Sequence, residues 1–278
     1  MHGRPVLIRR DHPLFPPHAY CAAGTGEETQ GKSCLRRWLP GLSVNLAQTP
    51  SIKEFSRLLA CQDQAHILVV GSGVQVTELA RKFAQDSKVT LICTDIDRCA
   101  IVDCYCDAHE LPFVDGSFDG VIITAVLEHV CDPYRVVSEI ERVTRLSGLL
   151  YSEIPFLQQV HEGAYDFTRF TLQGHRRLFR RYEKIAMGLV AGPGTALGWA
   201  IEGFCLSLFP GKFFRYLVKF LVRLCFFWLK YFDYLLRDRL EAMDSSSCTY
   251  FMGRKLSEEI SDRAIIADYT GAQDLRHC

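Results

Sequence analysis

Apolar and polar positions along this chain alternate between runs that suit buried strands and spacings that suit helices. Ile67-Leu68-Val69-Val70 is unbroken and rich in β-branched residues, and it predicts a strand buried on both faces. After Gly71-Ser72-Gly73, the residues Val76, Leu79, Ala80 and Phe83 recur at helical spacing. Residues 88–94 predict a second strand with Asp95 at its end. Residues 96–100 are too few for a full helix and lead as a short crossover into a third strand, 101–106. Asp115-Gly116 turns into a fourth strand, 118–124. Asp132-Pro133 opens a helix with an apolar face of Val136, Val137, Ile140 and Val143, closed by Ser147-Gly148. A fifth strand, 149–154, stops at Pro155, and Asp119 at the start of the fourth reads as a hydrogen bonder of the fold. Residues 171–180 predict a helix, 182–190 the sixth strand and 248–255 the seventh.

Three stretches fall outside that rhythm. Residues 1–50 are rich in Pro, Gly and small polar residues, and predict an N-terminal extension that is either partly disordered or a strap over the domain. The domain then runs from 51 to 278. It opens with a helix over 51–59 that takes Ser51 as N-cap and Glu54 as its capping-box partner. Residues 192–246 form an apolar helical insertion between strands six and seven, beginning with a hinge or turn at Gly192-Pro193-Gly194. Within it, 212–237 predicts one long helix whose Arg215, Lys219, Arg223, Lys230 and Arg237 share a narrow sector, nearly everything else being apolar. Such a helix either packs on the domain or lies in a membrane interface with its cations at the headgroups. Charges recur too often for it to span a bilayer.

Strand, glycine turn and helix start together make a seat for a nucleotide-type ligand: Gly71, Ser72 and Gly73 let the backbone approach closely. Asp95 stands about twenty residues beyond, where a carboxylate meets ribose hydroxyls. Val76, where a dinucleotide fingerprint needs its last glycine, argues against NAD. Further on come Asp107-Ala108-His109-Glu110-Leu111-Pro112-Phe113, then Phe118-Asp119-Gly120-Val121 and Leu127-Glu128-His129-Val130. This linked set resembles class I S-adenosylmethionine-dependent methyltransferases, from about residue 67 to 154 and more loosely to 191. The resemblance implies an α/β fold with a Rossmann-like, doubly wound seven-stranded sheet whose last strand is antiparallel. It implies S-adenosylmethionine as cofactor, held by Gly71, Ser72, Gly73, Asp95, Ile96, Asp107, Ala108 and His109. Asp107 would face the adenine amino group; otherwise it is a turn former. Gln75 stands where the family has a third glycine, and either narrows the methionine pocket or begins the helix.

The segment 156–170 mixes aromatic residues with His161, Asp166 and Arg169 beyond the end of strand five, and loops of such variety on a rigid scaffold tend to carry function. A salt bridge between Asp166 and Arg169 that pins the loop is the plainer expectation. Methyl transfer from a sulfonium needs alignment above all, and a general base only when the nucleophile is protonated. His161 and His129 are the candidates, with His161 preferred because it lies in the variable loop, while His129 belongs to the family signature.

Composition narrows the picture without deciding it. The 278 residues are 48% hydrophobic with zero formal net charge, which argues against nucleic acid as an obligatory partner. The twelve cysteines are scattered, as reduced thiols in a cytoplasmic protein would be. Cys99, Cys104 and Cys106 lack a second pair at zinc spacing, so no metal is assigned. Prolines and charges over residues 1–17 leave no apolar core for a signal peptide. The expected function is methyl transfer to a small-molecule, glycan or lipid-linked acceptor by a cytoplasmic protein, which touches a membrane surface through 212–237 unless that helix packs on the domain. The competing reading is a non-catalytic binding protein that retains the fold.

Overall fold

The computed structural model describes residues 3–18, 40–60, 63–73, 88–98, 100, 102–208 and 211–273, without the side chains of residues 212 and 213. Five strands run parallel or feed the same edge: β1 (Ala65–Val70), β2 (Val89–Asp95), β3 (Cys104–Tyr105), β4 (Phe118–Thr124) and β5 (Thr144–Pro155). With β6 (Tyr182–Ala191) and β7 (Cys248–Lys255) they form one seven-stranded sheet in the order β3-β2-β1-β4-β5-β7-β6. β7 is antiparallel to both of its neighbours. This is the doubly wound α/β sheet the resemblance implies. The order reverses between β1 and β4, the switch point beyond whose carboxyl ends such sheets bind ligands.

Alternation along the strands divides the core. Leu68, Val70, Val121, Ile123 and Leu150 face α2 (Pro133–Val143) through Val136, Val137, Ile140 and Val143. Ile67, Val69, Ile122, Leu149 and Tyr151 face the other way, onto Ile52, Phe55 and Leu59 of α1 (Gln48–Leu59). Gly120 is needed on that side: a Cβ there would lie 2.7 Å from Phe55 Cζ. Asp132 caps α2 through Arg135 N, as expected. Asp119 holds His66 N at 2.6 Å and Arg145 at 2.7 Å, a structural role.

Several boundaries differ from expectation. α1 begins at Gln48, with no capping box at Ser51, because Asn45 Oδ1 accepts from Ala47 N and Gln48 N. Ser51 is buried inside the helix, and Glu54 pairs with Arg57. α2 ends at Val143 rather than at Ser147-Gly148: Thr144 already pairs with Phe118, so these two residues lie within β5. β3 is only two residues long, and residue 101 lies outside the described residues. So do the predicted helix at 76–83, Gln75 and Cys99. The helix predicted over 171–180 is α3 (Leu172–Leu178), capped by Thr171.

The insertion is α4 (Pro193–Leu208), α5 (Lys212–Phe226), a 3-10 turn (Phe227–Tyr231), α6 (Phe232–Leu236) and α7 (Leu240–Asp244). The single helix predicted over 212–237 is therefore broken. The reason is Asp233: wholly buried, it accepts from Gly192 N, Gly194 N, Thr195 N and Thr195 Oγ1 at the start of α4. Folding α6 back to make this cap requires the 3-10 turn. Gly192-Pro193-Gly194 is accordingly a close approach rather than a hinge, since a Cβ on Gly194 would lie 2.2 Å from Leu229 O. The basic sector is broken up too. Arg223 turns inward to Glu202 at 2.7 Å, and Lys230 donates to Gly41 O at 2.8 Å.

Candidate functional site

The site lies beyond the carboxyl ends of β1, β2, β3 and β4. Gly71 leaves β1 at φ +69°, and a Cβ there would stand 2.1 Å from Val126 Cγ2, so only glycine fits. Gly73 is also left-handed, at φ +48°, and a Cβ there would meet nothing within 4 Å among the described residues. Gly73 N donates to Asp95 Oδ2 at 2.8 Å, which bends the turn over the end of β2; Asp95 Oδ1 takes Asp97 N. Burial pushes the Asp95 carboxyl up, against the backbone donors that favour its charge. Ser72 is buried, and its Oγ has no partner among the described residues.

Asp95 and Asp107 come to the same edge. β2 and β3 are parallel neighbours with Asp95 opposite Tyr105, and Cys106 N donates to Asp95 O. Asp107 is clasped by two imidazoles. His109 reaches Oδ1 through Nδ1 at 2.7 Å, and His12 reaches Oδ2 through Nε2 at 2.8 Å. Asp132 N donates to the other nitrogen of His109, while Leu14 N and Phe15 N donate to the other nitrogen of His12. Each ring thus has one accepting and one donating nitrogen, the neutral tautomer. Burial opposes the charge of Asp107, but these donors outweigh it and hold the carboxyl well below the usual range. Ile96, Ala108 and His109 stand beside these carboxylates in sequence, and Ile96 and His109 line the cleft.

His12 was not legible in the sequence. It arrives because residues 3–18 run along the sheet edge: Val6 pairs with Tyr105, Leu7 N donates to Tyr105 O, and Tyr105 N donates to Pro5 O. No local pattern signals a contact across ninety-five positions.

The other side of the site is built from the β4 end and the loop after β5. His129 Nε2 and His161 Nε2 stand 3.1 Å apart, so the two histidines proposed from sequence do meet. The Asp166–Arg169 ion pair exists and pins the loop, with Arg169 also donating to Gln158 O and Gln159 O. Arg169 holds the Asp166 carboxyl low. Asp166 in turn accepts from His161 N, so pinning and presentation of His161 are one device. Glu128 anchors the same loop through its carbonyl, which accepts from Phe167 N and Thr168 N. Its side chain is 1% exposed, and burial pushes its carboxyl up to about 7. A charged residue at the end of the apolar β4 segment, between Leu127 and His129, was the sequence signal for it. A cleft of about 990 Å³ joins the two sides, lined by His12, Asp107, His109, His129, Tyr165 and Phe167 among others.

These features fit a nucleoside cofactor: an open left-handed glycine, an orphaned buried hydroxyl and two carboxylates on one edge. Residues 54–152 match a family model described as a methyltransferase domain. A 39-residue stretch is 54% identical to uncharacterized methyltransferases of Mycobacterium strains JLS and KMS, spanning 14% of this chain and 16% of each relative. Among solved structures, a candidate sarcosine dimethylglycine methyltransferase from Galdieria sulphuraria is 16% identical with a TM-score of 0.48, covering 78% of this chain and 94% of that one. Phosphoethanolamine N-methyltransferase 2 of Haemonchus contortus is 14% identical with a TM-score of 0.46, covering 75% and 53%. The match over residues 54–152, set on this sheet order, gives the chain a methyltransferase domain.

Proposed function

We propose that this protein transfers a methyl group from S-adenosylmethionine to a lipid-linked acceptor at a membrane surface, on the cytoplasmic side. The observation that carries the acceptor class is apolar surface on both sides of one contact. Gly203 of α4 meets Gln159 of the His161 loop, with a Cβ on that glycine 3.7 Å from Gln159 Cγ. On the loop, Leu157, Val160, Tyr165 and Phe167 are exposed. On the insertion, Tyr216, Leu217, Phe220, Leu221 and Leu224 of α5 are exposed, with Trp228 and Leu235 beyond. Apolar patches of this extent mark binding surfaces, and an amphipathic helix buries such a face at the headgroup boundary. The described residues contain no helix long and apolar enough to cross a membrane.

The bound cofactor supplies a methyl group on a positively charged sulfur. The chain's own residues do the rest. Asp95 retains lone pairs for ribose hydroxyls beside the backbone donors of Gly73, Ile96 and Asp97. Asp107, kept ionised by its two imidazoles, presents acceptor oxygens to a base amine. His129 and His161 take the proton of a hydroxyl or ammonium acceptor at Nε2, and burial lowers the His129 pKa, which favours its neutral, accepting form. The Arg169–Asp166 pair fixes where His161 stands.

Two measurements test this. Calorimetry with S-adenosylmethionine should show binding that weakens at least tenfold in Asp95→Ala; no binding by the wild type would favour a non-catalytic binder. Co-sedimentation with anionic liposomes should pellet the wild type and not a Leu224→Glu/Leu235→Glu variant. Equal pelleting of both would remove the membrane contact. Point changes are preferable to deleting residues 212–237, which would also remove the Asp233 cap.

A further inference from the structure

Glu128, His129 and His161 each place one potential ligand atom within 4.8 Å of the others. The hydrogen bonds around the two rings decide what lies between them. His129 Nδ1 faces Tyr165 O at 2.8 Å, and a carbonyl can only accept, so Nδ1 carries the hydrogen and Nε2 of the neutral ring is bare. His161 Nδ1 lies 3.4 Å from both Gln159 O and Asp166 Oδ2, which only accept, so the tautomer with its hydrogen on Nδ1 leaves Nε2 bare as well. In that tautomer two lone pairs face each other across 3.1 Å, while the other makes an N–H···N bond there. Glu128 Oε1 is 3.8 Å from His129 Nε2, and Glu128 Oε2, fully buried, has no hydrogen-bond partner among the described residues.

Something positive belongs in that gap. Two imidazole nitrogens bound tetrahedrally to one zinc-sized ion at about 2.0–2.1 Å sit roughly 3.3 Å apart, close to the spacing seen. A carbonyl or carboxylate on the far ring nitrogen is the arrangement that orients metal-ligating histidines. We propose that Glu128, His129 and His161 bind a divalent transition-metal ion, of the zinc, iron, manganese or cobalt class that two imidazoles and a carboxylate favour. Three protein ligands leave a coordination position toward the cleft. On the methyltransferase reading, and only on it, that position would take and polarise an oxygen of the acceptor, replacing the proton transfer that the metal-free histidines provide; the binding of the ion does not depend on that reading. The sequence hid the site because His129 and His161 lie thirty-two positions apart on separate loops.

The test uses cobalt(II) as probe, titrated into the full chain after chelator dialysis and followed by its visible absorption. We expect one equivalent bound through nitrogen and oxygen, without the near-ultraviolet thiolate charge transfer that cysteine ligation would give. His161→Ala and Glu128→Gln should each weaken binding by at least about 100-fold. Far-ultraviolet dichroism checks that both variants are folded. Affinity for S-adenosylmethionine, measured on the same samples, should be retained in His161→Ala. Absence of cobalt bands in the wild type, thiolate bands, or an affinity in either variant equal to that of the wild type would overturn the site. Cobalt binding without cofactor binding would leave the site standing and remove the methyltransferase reading alone.

Discussion

Replacing Asp233 by alanine should loosen the insertion while sparing the sheet. Its carboxylate is wholly buried and takes three backbone N–H groups and one hydroxyl, at 2.6–3.1 Å, all from the start of α4. An ordinary N-cap satisfies one donor and is worth about 0.5–2 kcal/mol, and hydrogen bonds to charged groups contribute about 1.5–3 kcal/mol each. The sum overstates the loss, because alanine also removes the cost of burying a charge. About 3–5 kcal/mol remains, because each buried N–H left without a partner costs about 1–3 kcal/mol. The orphaned N–H groups of Gly192, Gly194 and Thr195 can regain partners only if water enters, which means opening the first turn of α4. At about 1.4 kcal/mol per decade, amide exchange at Gly194 and Thr195 should accelerate by roughly 100- to 4,000-fold, provided these amides exchange by local opening. Amides of β1 and β4 should keep their protection. Acceleration below tenfold at Gly194 and Thr195 would refute the cap, and an equal rise across the sheet would refute the separability of the insertion.

Other consequences are quicker to measure. Gly71→Ala meets Val126 at 2.1 Å in a left-handed backbone, so it should cost about 1–3 kcal/mol and abolish cofactor binding. An unchanged melting temperature would show that Val126 yields freely. Glu128, its pKa raised to about 7, takes up a proton on folding, so its contribution to stability falls as pH rises from about 4.3 to about 7. Glu128→Gln should flatten the urea midpoint over that range, and an identical slope would count against burial as the cause. His175, held between Thr249 and Ser152 with its pKa lowered to about 3, acts in the opposite sense. Its contribution is full above about 6.5 and is lost as pH falls toward about 3, so His175→Gln should remove that acid loss. His12→Ala should free residues 3–18 from Asp107 and speed their proteolysis. An unaltered rate would mean that the Val6–Tyr105 pairing alone holds the strap.

Much of the architecture could be read from local pattern. Apolar runs bounded by turn residues located β1, β2, β4, β6 and β7 to within a residue or so, because strands buried on both faces admit little else. Asp132-Pro133 marked the start of α2 for an equally local reason, a side chain that accepts from an N–H three residues on. Carboxylates at strand ends, Asp95 and Asp107, were legible because a parallel sheet brings consecutive strand ends to one edge. Boundaries went astray where a distant partner intervened: Asn45 displaced Ser51 as the cap of α1, and pairing with Phe118 drew Thr144 into β5.

What the amino-acid order determined, then, was whatever rests on neighbours within a few residues: strands, turns, helix caps and the carboxylates they carry to the sheet edge. Only the tertiary structure decided that α6 folds back to give Asp233 to α4, that His12 closes on Asp107, and that His129, His161 and buried Glu128 converge. Those contacts span tens of residues. They are selected by the burial of whole surfaces and by the need to satisfy polar groups once buried, and neither requirement leaves a periodic trace in the chain.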